Sequence, residues 1–225
     1  MIFSHRRSSE SMRRFYNWFS RFYPAIERSI APIHDEVMAR ILRVLGVSKD
    51  KTAIEYACGS GSLSLLLADH YRSVEGRDAS AGMLHRARQR ALDGGKSIRF
   101  AEGDMTRIVE PDGSFDDVFV SFALHLFAPP KVEEILAKLL AVCRNRVIII
   151  DHPRTWTFTT AFVEWIEGSY YGPFISMDFR ALAGRLSATV VDLSFGEGCD
   201  DAPSAETGPR KKTPGAAVLI FSRAG

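Results

Sequence analysis

The spacing of hydrophobic positions changes along the chain. Over residues 10–22 they recur at helical intervals, with Phe15, Trp18, Phe19 and Phe22 on one face. Pro24 and Pro32 break that run. A second helix is expected from about Asp35, with Val37, Ile41, Leu42 and Leu45 inward and Gly46 as its stop. From Thr52 the rhythm switches to short apolar runs alternating with helical ones. Strands are predicted over 52–56, 71–78, 98–104, 114–122 and 146–151. Helices are predicted over 62–70, from a Ser80 cap to about Leu92, and over 130–143. This alternation implies a parallel sheet with helices on both faces. The last third departs from it. A helix over 157–167 carries Phe158, Phe162 and Trp165 on one side, and a short helix covers 178–186. Strands over 190–195 and 216–222 follow with no helix between them, which predicts an antiparallel hairpin at the sheet edge.

Composition narrows the class. The chain has 225 residues, 46% of them hydrophobic and 25% charged, enough for one soluble α/β domain with a real core. A net charge of +2 lacks the concentrated basic surface of a dedicated nucleic-acid binder. The N-terminus is locally basic, with Arg6, Arg7, Arg13, Arg14, Arg21 and Arg28 against Glu10 and Glu27. That pattern fits a solvated helix face or a weak contact with an anionic membrane surface. Cys58, Cys143 and Cys199 are far apart, odd in number and form no C-x-x-C, so neither a disulfide scaffold nor a metal site is expected. No apolar run reaches the roughly 18 residues of a membrane span, and arginines interrupt any signal-peptide core. The expected location is cytoplasmic.

The strongest chemical signal is Glu55-Tyr-Ala-Cys-Gly-Ser-Gly61 at the end of the first strand. Glycines there let the backbone turn tightly and approach a ligand closely, and the next helix start offers N–H groups to an anionic ligand end. The dinucleotide fingerprint needs a third glycine where this chain has Ser64. Asp78 ends the second strand and can accept hydrogen bonds from a ribose diol. Asp104 ends the third, within Glu102-Gly-Asp-Met105. Acidic residues 55, 78 and 104 therefore stand at the carboxyl ends of three successive strands, facing the crevice where such sheets bind ligands.

On these residues the chain resembles the class I S-adenosylmethionine (SAM)-dependent methyltransferases. AIEYACGSG (53–61) is similar to their SAM-binding motif, VEGRDASAGMLHRA (74–87) to the second motif, 102–105 to the third, and SFDDVFVSFALHLF (114–127) to the fourth. The aromatic segment FYNWFSRFYP is similar to that of the ubiquinone/menaquinone-biosynthesis-like branch. The resemblance implies a Rossmann-like, seven-stranded, mostly parallel sheet with helices on both faces and a C-terminal antiparallel hairpin. Residues 1–46 would form a helical lid segment and 47–225 the SAM-binding domain, with a substrate-covering insertion at about 152–186. It implies that Glu55, Ala57, Cys58, Gly59 and Gly61 line the methionyl end of SAM. Asp78 would hold the ribose hydroxyls, with Ala79 and Met83 against the adenine. Asp104 would bond the adenine amino group, Met105 would stack or supply its backbone, and Phe122 would lie beneath the sulfonium. Ala57 departs from the glycine usual at that position.

Methyl transfer from a sulfonium is an in-line displacement in which the protein aligns the reactants and excludes water, an effect worth roughly 7–11 kcal/mol. A base is needed where the acceptor must lose a proton. Candidates are His125 after the fourth strand, His152 after the fifth, and Tyr171 in Gly-Ser-Tyr-Tyr-Gly, with Tyr170, Tyr16 and Tyr23 nearby. The aromatic covers suggest a small apolar or aromatic acceptor. A non-catalytic SAM-binding module would show the same cofactor site, and a nicotinamide-dependent oxidoreductase is disfavoured by Ser64 and the terminal hairpin. Base-amino methylation of nucleic acid would call for an (Asp/Asn)-Pro-Pro-(Tyr/Phe) run where this chain reads Ser-Phe-Ala-Leu (121–124), so no nucleic-acid partner is expected.

Overall fold

The computed structural model describes residues 9–20, 35–36, 49–153, 168–194 and 216–223. In chain order the elements are α1 (Ser9–Phe19), β1 (Thr52–Tyr56), α2 (Ser62–Leu67), β2 (Ser73–Asp78), α3 (Ala81–Asp93), β3 (Arg99–Glu102) and β4 (Phe115–Ser121). A 3-10 turn (Leu124–Leu126) leads to α4 (Pro129–Val142), β5 (Cys143–Asp151), α5 (Tyr171–Ile175), α6 (Phe179–Arg185), β6 (Ala188–Asp192) and β7 (Ala217–Arg223).

The seven strands form one sheet in the order β3-β2-β1-β4-β5-β7-β6. The first five are parallel, and β7 runs antiparallel to both β5 and β6. The terminal hairpin is therefore folded back, with its second strand inserted and its first strand at the edge. Side-chain alternation sends neighbours in β4 and β5 to opposite faces. Val118, Val120, Val147 and Ile149 join one core cluster with the Val132, Ile135, Leu136 and Leu139 stripe of α4. Phe119, Ile148 and Ile150 join the other, with Leu63 and Leu67 of α2. Burial on both faces explains why β5 reads as the unbroken run VIII.

One charge in this sheet is sealed in. Asp117 of β4 is fully buried and accepts from Arg146 Nε at 3.1 Å, Arg146 Nη2 at 2.9 Å and the Tyr71 hydroxyl at 2.7 Å. Three of the carboxylate's roughly four lone-pair directions are used, which is how a buried ion pair is tolerated.

The predicted elements all recur where the chain is described, with ends shifted by up to three residues in either direction. The 62–70 helix stops at Leu67, and Tyr71 turns inward before β2 begins. The short α5 was not anticipated, because Gly172 and Pro173 disguise a single helical turn. Asp35 and Glu36 are helical, but the rest of the expected 35–45 helix and all of the 157–167 helix lie outside the described residues. Among the described residues no helix is long and apolar enough to cross a membrane.

Candidate active site

Chain order reverses between β1 and β4, because β2 and β3 lie on one side of β1 while β4 and β5 lie on the other. The carboxyl ends of the strands at such a switch point frame a ligand crevice. Here the turn leaving β1 alternates into the left-handed region at Ala57 (φ 55°), Gly59 (φ 54°) and Gly61 (φ 79°). That alternation curls the backbone into a concave stretch of amides. A Cβ on Gly59 would meet nothing within 4 Å, so this part of the turn borders open space. A Cβ on Gly61 would stand 3.0 Å from Phe100 Cζ and 3.1 Å from Ala87 Cβ, so Gly61 lets the turn press onto α3 and β3. Arg90 of α3 holds the outer side of the turn, donating from Nη1 to the Ser60 carbonyl at 3.1 Å, Ser60 Oγ at 3.3 Å and Ser62 Oγ at 2.9 Å. With α2 only six residues long, the amides of the turn contribute more than a helix dipole does.

Asp78, ending β2, is bonded directly to this turn. Its Oδ2 accepts from the Gly59 N–H at 2.8 Å and its Oδ1 from the Ser80 N–H at 2.8 Å. Burial pushes its pKa up, and the two N–H donors pull against that. Carboxylate oxygens fixed in this way keep lone pairs for a diol. Ala79 lies half-buried at the start of the same turn. Asp104 follows β3, its Oδ1 accepting from Thr106 N at 2.8 Å and Thr106 Oγ1 at 2.7 Å. Phe122 follows β4 with φ 50°, its N–H donating to the Ile150 carbonyl at 2.7 Å. A non-glycine residue in the left-handed region at a strand end is strain of the kind held at functional sites.

Four residues expected at the cofactor are engaged differently. The Glu55 side chain is buried, its Oε1 accepting from Ser121 Oγ at 2.7 Å and its Oε2 from Ser64 Oγ. It ties β1 to β4 and α2. Burial raises its pKa to about 7, against the opposing pull of the two serines. The Cys58 side chain packs with Leu84, Ala87, Ala91 and Phe100, and burial pushes its thiol up. Met83 is buried in α3, and Met105 belongs to the core beneath α4. All four side chains are buried.

The three proposed base residues converge. His125 sits in the 3-10 turn, buried, with Nδ1 2.6 Å from Asp151 Oδ1. Its ring lies 4.9 Å from that of His152 and 6.4 Å from that of Tyr171. His152 also packs 5.1 Å from Phe122, which joins this cluster to the crevice. The Tyr171 hydroxyl donates to the Pro153 carbonyl, and the Tyr170 N–H donates to the His125 carbonyl at 2.7 Å. Tyr16 packs edge-on within α1 against Phe15 and Phe19, while Phe22, Tyr23, Phe158, Phe162 and Trp165 lie outside the described residues. His125, Asp151 and His152 bring three ligand-type atoms within 4.8 Å. Two ligands of one tetrahedral ion about 2 Å from the metal stand roughly 3.3 Å apart, so the 2.6 Å His125–Asp151 separation is a hydrogen bond instead.

Two residues escaped the sequence reading. Asp151 is absent from the sequence candidates, although it too is an acid ending a buried strand, the signal that singles out residues 55, 78 and 104. Asn17 of α1 accepts from Ser80 Oγ at 2.7 Å and from Gly82 N at 3.1 Å. It anchors α1 on the start of α3, beside Asp78, and nothing in its sequence context marks it.

Comparison with known proteins agrees with this geometry. Residues 53–146 match the family model described as a methyltransferase domain. A demethylmenaquinone methyltransferase of Beutenbergia cavernae is 35% identical over 149 residues, covering 65% of this chain and 58% of that one. One from Thermus thermophilus is 33% identical over 107 residues, covering 46% and 48%. The chain thus spans about half the length of these curated relatives. Among solved structures, magnesium protoporphyrin IX methyltransferase from Synechocystis with bound SAH superposes with a TM-score of 0.69 at 18% identity, covering 96% of this chain and all of that one. Over residues 53–146 the chain is thus similar to the methyltransferase domain family, and its fold is that of a solved methyltransferase structure.

Proposed function

We propose that the chain transfers a methyl group from SAM to a small apolar or aromatic acceptor. The observation that carries this reading is the pairing of Asp78 with the Gly59 amide beside an open, left-handed turn at the switch point of the sheet. A ribose and a methionyl chain need those two features side by side, and the residues present fit them. SAM, when bound, supplies a methyl group on a sulfonium, whose departure leaves a neutral thioether. Asp78 accepts from the ribose hydroxyls, Ala79 flanks the adenine, and Asp104 receives its amino group. The Gly59–Gly61 backbone holds the methionyl end, with Ala57, Cys58 and the buried Glu55 shaping the turn. Phe122 lies under the reacting centre, Met83 and Met105 back the adenine side, and His125, His152 and Tyr171 flank the acceptor.

α1 serves as a cover that excludes water, a role supported by the Asn17 anchor beside Asp78. The relatives named demethylmenaquinone methyltransferases support a quinone-like acceptor, and they favour catalysis over a regulatory SAM-binding role. An apolar acceptor would also give the basic N-terminus a use in weak membrane-surface contact from the cytoplasm. The test is formation of S-adenosylhomocysteine (SAH) from SAM with a panel of acceptors. Turnover of hydroquinones or phenols is expected; turnover of small charged amines alone would overturn the acceptor class.

A further inference from the structure

We infer that Asn17 is a positioning residue for the cofactor: from α1 it fixes Ser80, and through Ser80 the Asp78 carboxylate, so that seating of α1 and binding of the ribose strengthen each other. This rests on the methyltransferase reading above. The Gly82 N–H donates to the Asn17 side chain at 3.1 Å. An N–H can only donate, so the atom it meets is the amide oxygen of Asn17, and the Ser80 hydroxyl 2.7 Å from that oxygen donates to it as well. With its proton committed there, Ser80 Oγ offers a lone pair to the Met83 N–H at 3.2 Å. Two of the orphan amides that open α3 are thus satisfied, one by its own cap residue and one by α1. The backbone N–H of the same buried Ser80 donates to Asp78 Oδ1 at 2.8 Å, while the Gly59 N–H holds Oδ2 at 2.8 Å. One side of the Asp78 carboxylate is set by the turn after β1, the other by a residue that α1 pins. Hydrogen bonds weaken steeply as their angle falls, so a carboxylate receiving ribose hydroxyls binds best when its plane is fixed.

α1 approaches α3 closely enough to need a glycine there. A Cβ on Gly82 would stand 2.7 Å from Ser20 Oγ and 3.3 Å from the Asn17 backbone carbonyl. Ser20 Oγ is itself engaged, donating to that carbonyl at 2.8 Å, and Ser20 is buried. α1 has 11 residues, a length at which an isolated helix is marginal in water, so its helical state depends on packing. Arg13 adds a 4.0 Å ion pair with Glu102 between exposed side chains, a contact of little weight. Asn17 is exposed, and water can replace its bonds, so the fold does not need them. What is lost with them is the fixed geometry at Ser80. Such coupling is reciprocal: whatever factor the docked α1 adds to cofactor affinity, the bound cofactor adds to the docking of α1.

Two measurements on the full-length protein test this: calorimetric titration of SAH, and hydrogen exchange of the α1 amides read by mass spectrometry with and without SAH. In the wild type, SAH should slow exchange within α1 about 3- to 10-fold. Asn17→Ala should bind SAH about 3- to 10-fold more weakly, and SAH should slow its α1 exchange less. Gly82→Gln keeps Asn17, Ser80 and Asp78 and places a stronger helix former in α3. A role confined to the stability of α3 predicts no loss from it, whereas lifting α1 off its seat predicts faster α1 exchange and the weakened binding of Asn17→Ala. In a wild type that binds SAH, α1 exchange indifferent to the ligand overturns the inference and leaves the SAM site standing. So does SAH binding by Asn17→Ala as tight as that of the wild type, or undiminished binding by a Gly82→Gln protein whose α1 exchanges faster. Failure of the wild type to bind SAH overturns the methyltransferase reading, and this inference with it.

Discussion

Glu55 carries a pH signature that a simple substitution should erase. Its carboxyl group is sealed beneath the crevice between Ser64 and Ser121, and burial is the largest influence on it, raising its pKa from 4.5 to about 7. A carboxyl group with a raised native pKa binds a proton in the folded state at pH values where the unfolded chain has released it. Wild-type stability is therefore favoured below about pH 4.5 and is lost as the pH rises toward and past 7. At about 1.4 kcal/mol per tenfold change, the native state should lose about 3 kcal/mol between pH 4.5 and pH 8 through this group. Glu55→Gln keeps the shape, remains neutral, and lets one serine donate to the amide oxygen while the other turns to accept. The assay is urea unfolding of both proteins across that range, reading the difference between them so that all other titrating groups cancel. The variant should gain about 3 kcal/mol on the wild type from pH 4.5 to pH 8. Parallel stability profiles, differing by less than 1 kcal/mol over the range, would refute the reasoning.

Other consequences concern the turn and the sheet. Ala57 holds φ 55°, a conformation that costs a non-glycine residue about 1 kcal/mol; after the entropy glycine adds to the unfolded chain, Ala57→Gly should raise stability by about 0.5 kcal/mol in chemical denaturation. Gly61→Ala should lower it by about 2 kcal/mol, since the left-handed strain adds to the 3.0 Å and 3.1 Å contacts with Phe100 and Ala87. Asp117→Asn leaves Arg146 of the buried pair without its counter-charge and should destabilise by about 3 kcal/mol, visible as a lowered unfolding midpoint. Arg90→Ala removes the three bonds that hold Ser60 and Ser62 and should weaken SAH binding several-fold in calorimetry while the fold persists.

How much was legible in the sequence follows from range. Strand and helix identities rest on local periodicity, and β1, α3, β4 and β5 were placed to within a few residues. The strand-end acids and the glycine turn were legible because each lies at a position set by its own strand. The insertion of β7 between β5 and β6 was not, since hairpin pairing alone does not say which strand reaches the sheet. The fate of Glu55 was not legible either: as a letter it resembles Asp78, yet Ser64 and Ser121 arrive from two distant elements to seal it away. Cys58 likewise turns into the core because α3 and β3 close over it, and Met83 is buried on α3 itself. The histidines could be proposed one by one. Their assembly around Asp151 brings together the 3-10 turn, the end of β5 and α5, which only the folded chain does.

The central claim is a SAM site at the switch point, and calorimetric titration of SAM and SAH into the wild type and Asp78→Ala tests it most directly. Losing a charged hydrogen-bond partner removes roughly 1.5–3 kcal/mol, about 10- to 100-fold in affinity. Both ligands should bind the wild type, and the variant should lose affinity by that much. A folded wild type that binds neither, or an Asp78→Ala protein that binds them equally well, would contradict it.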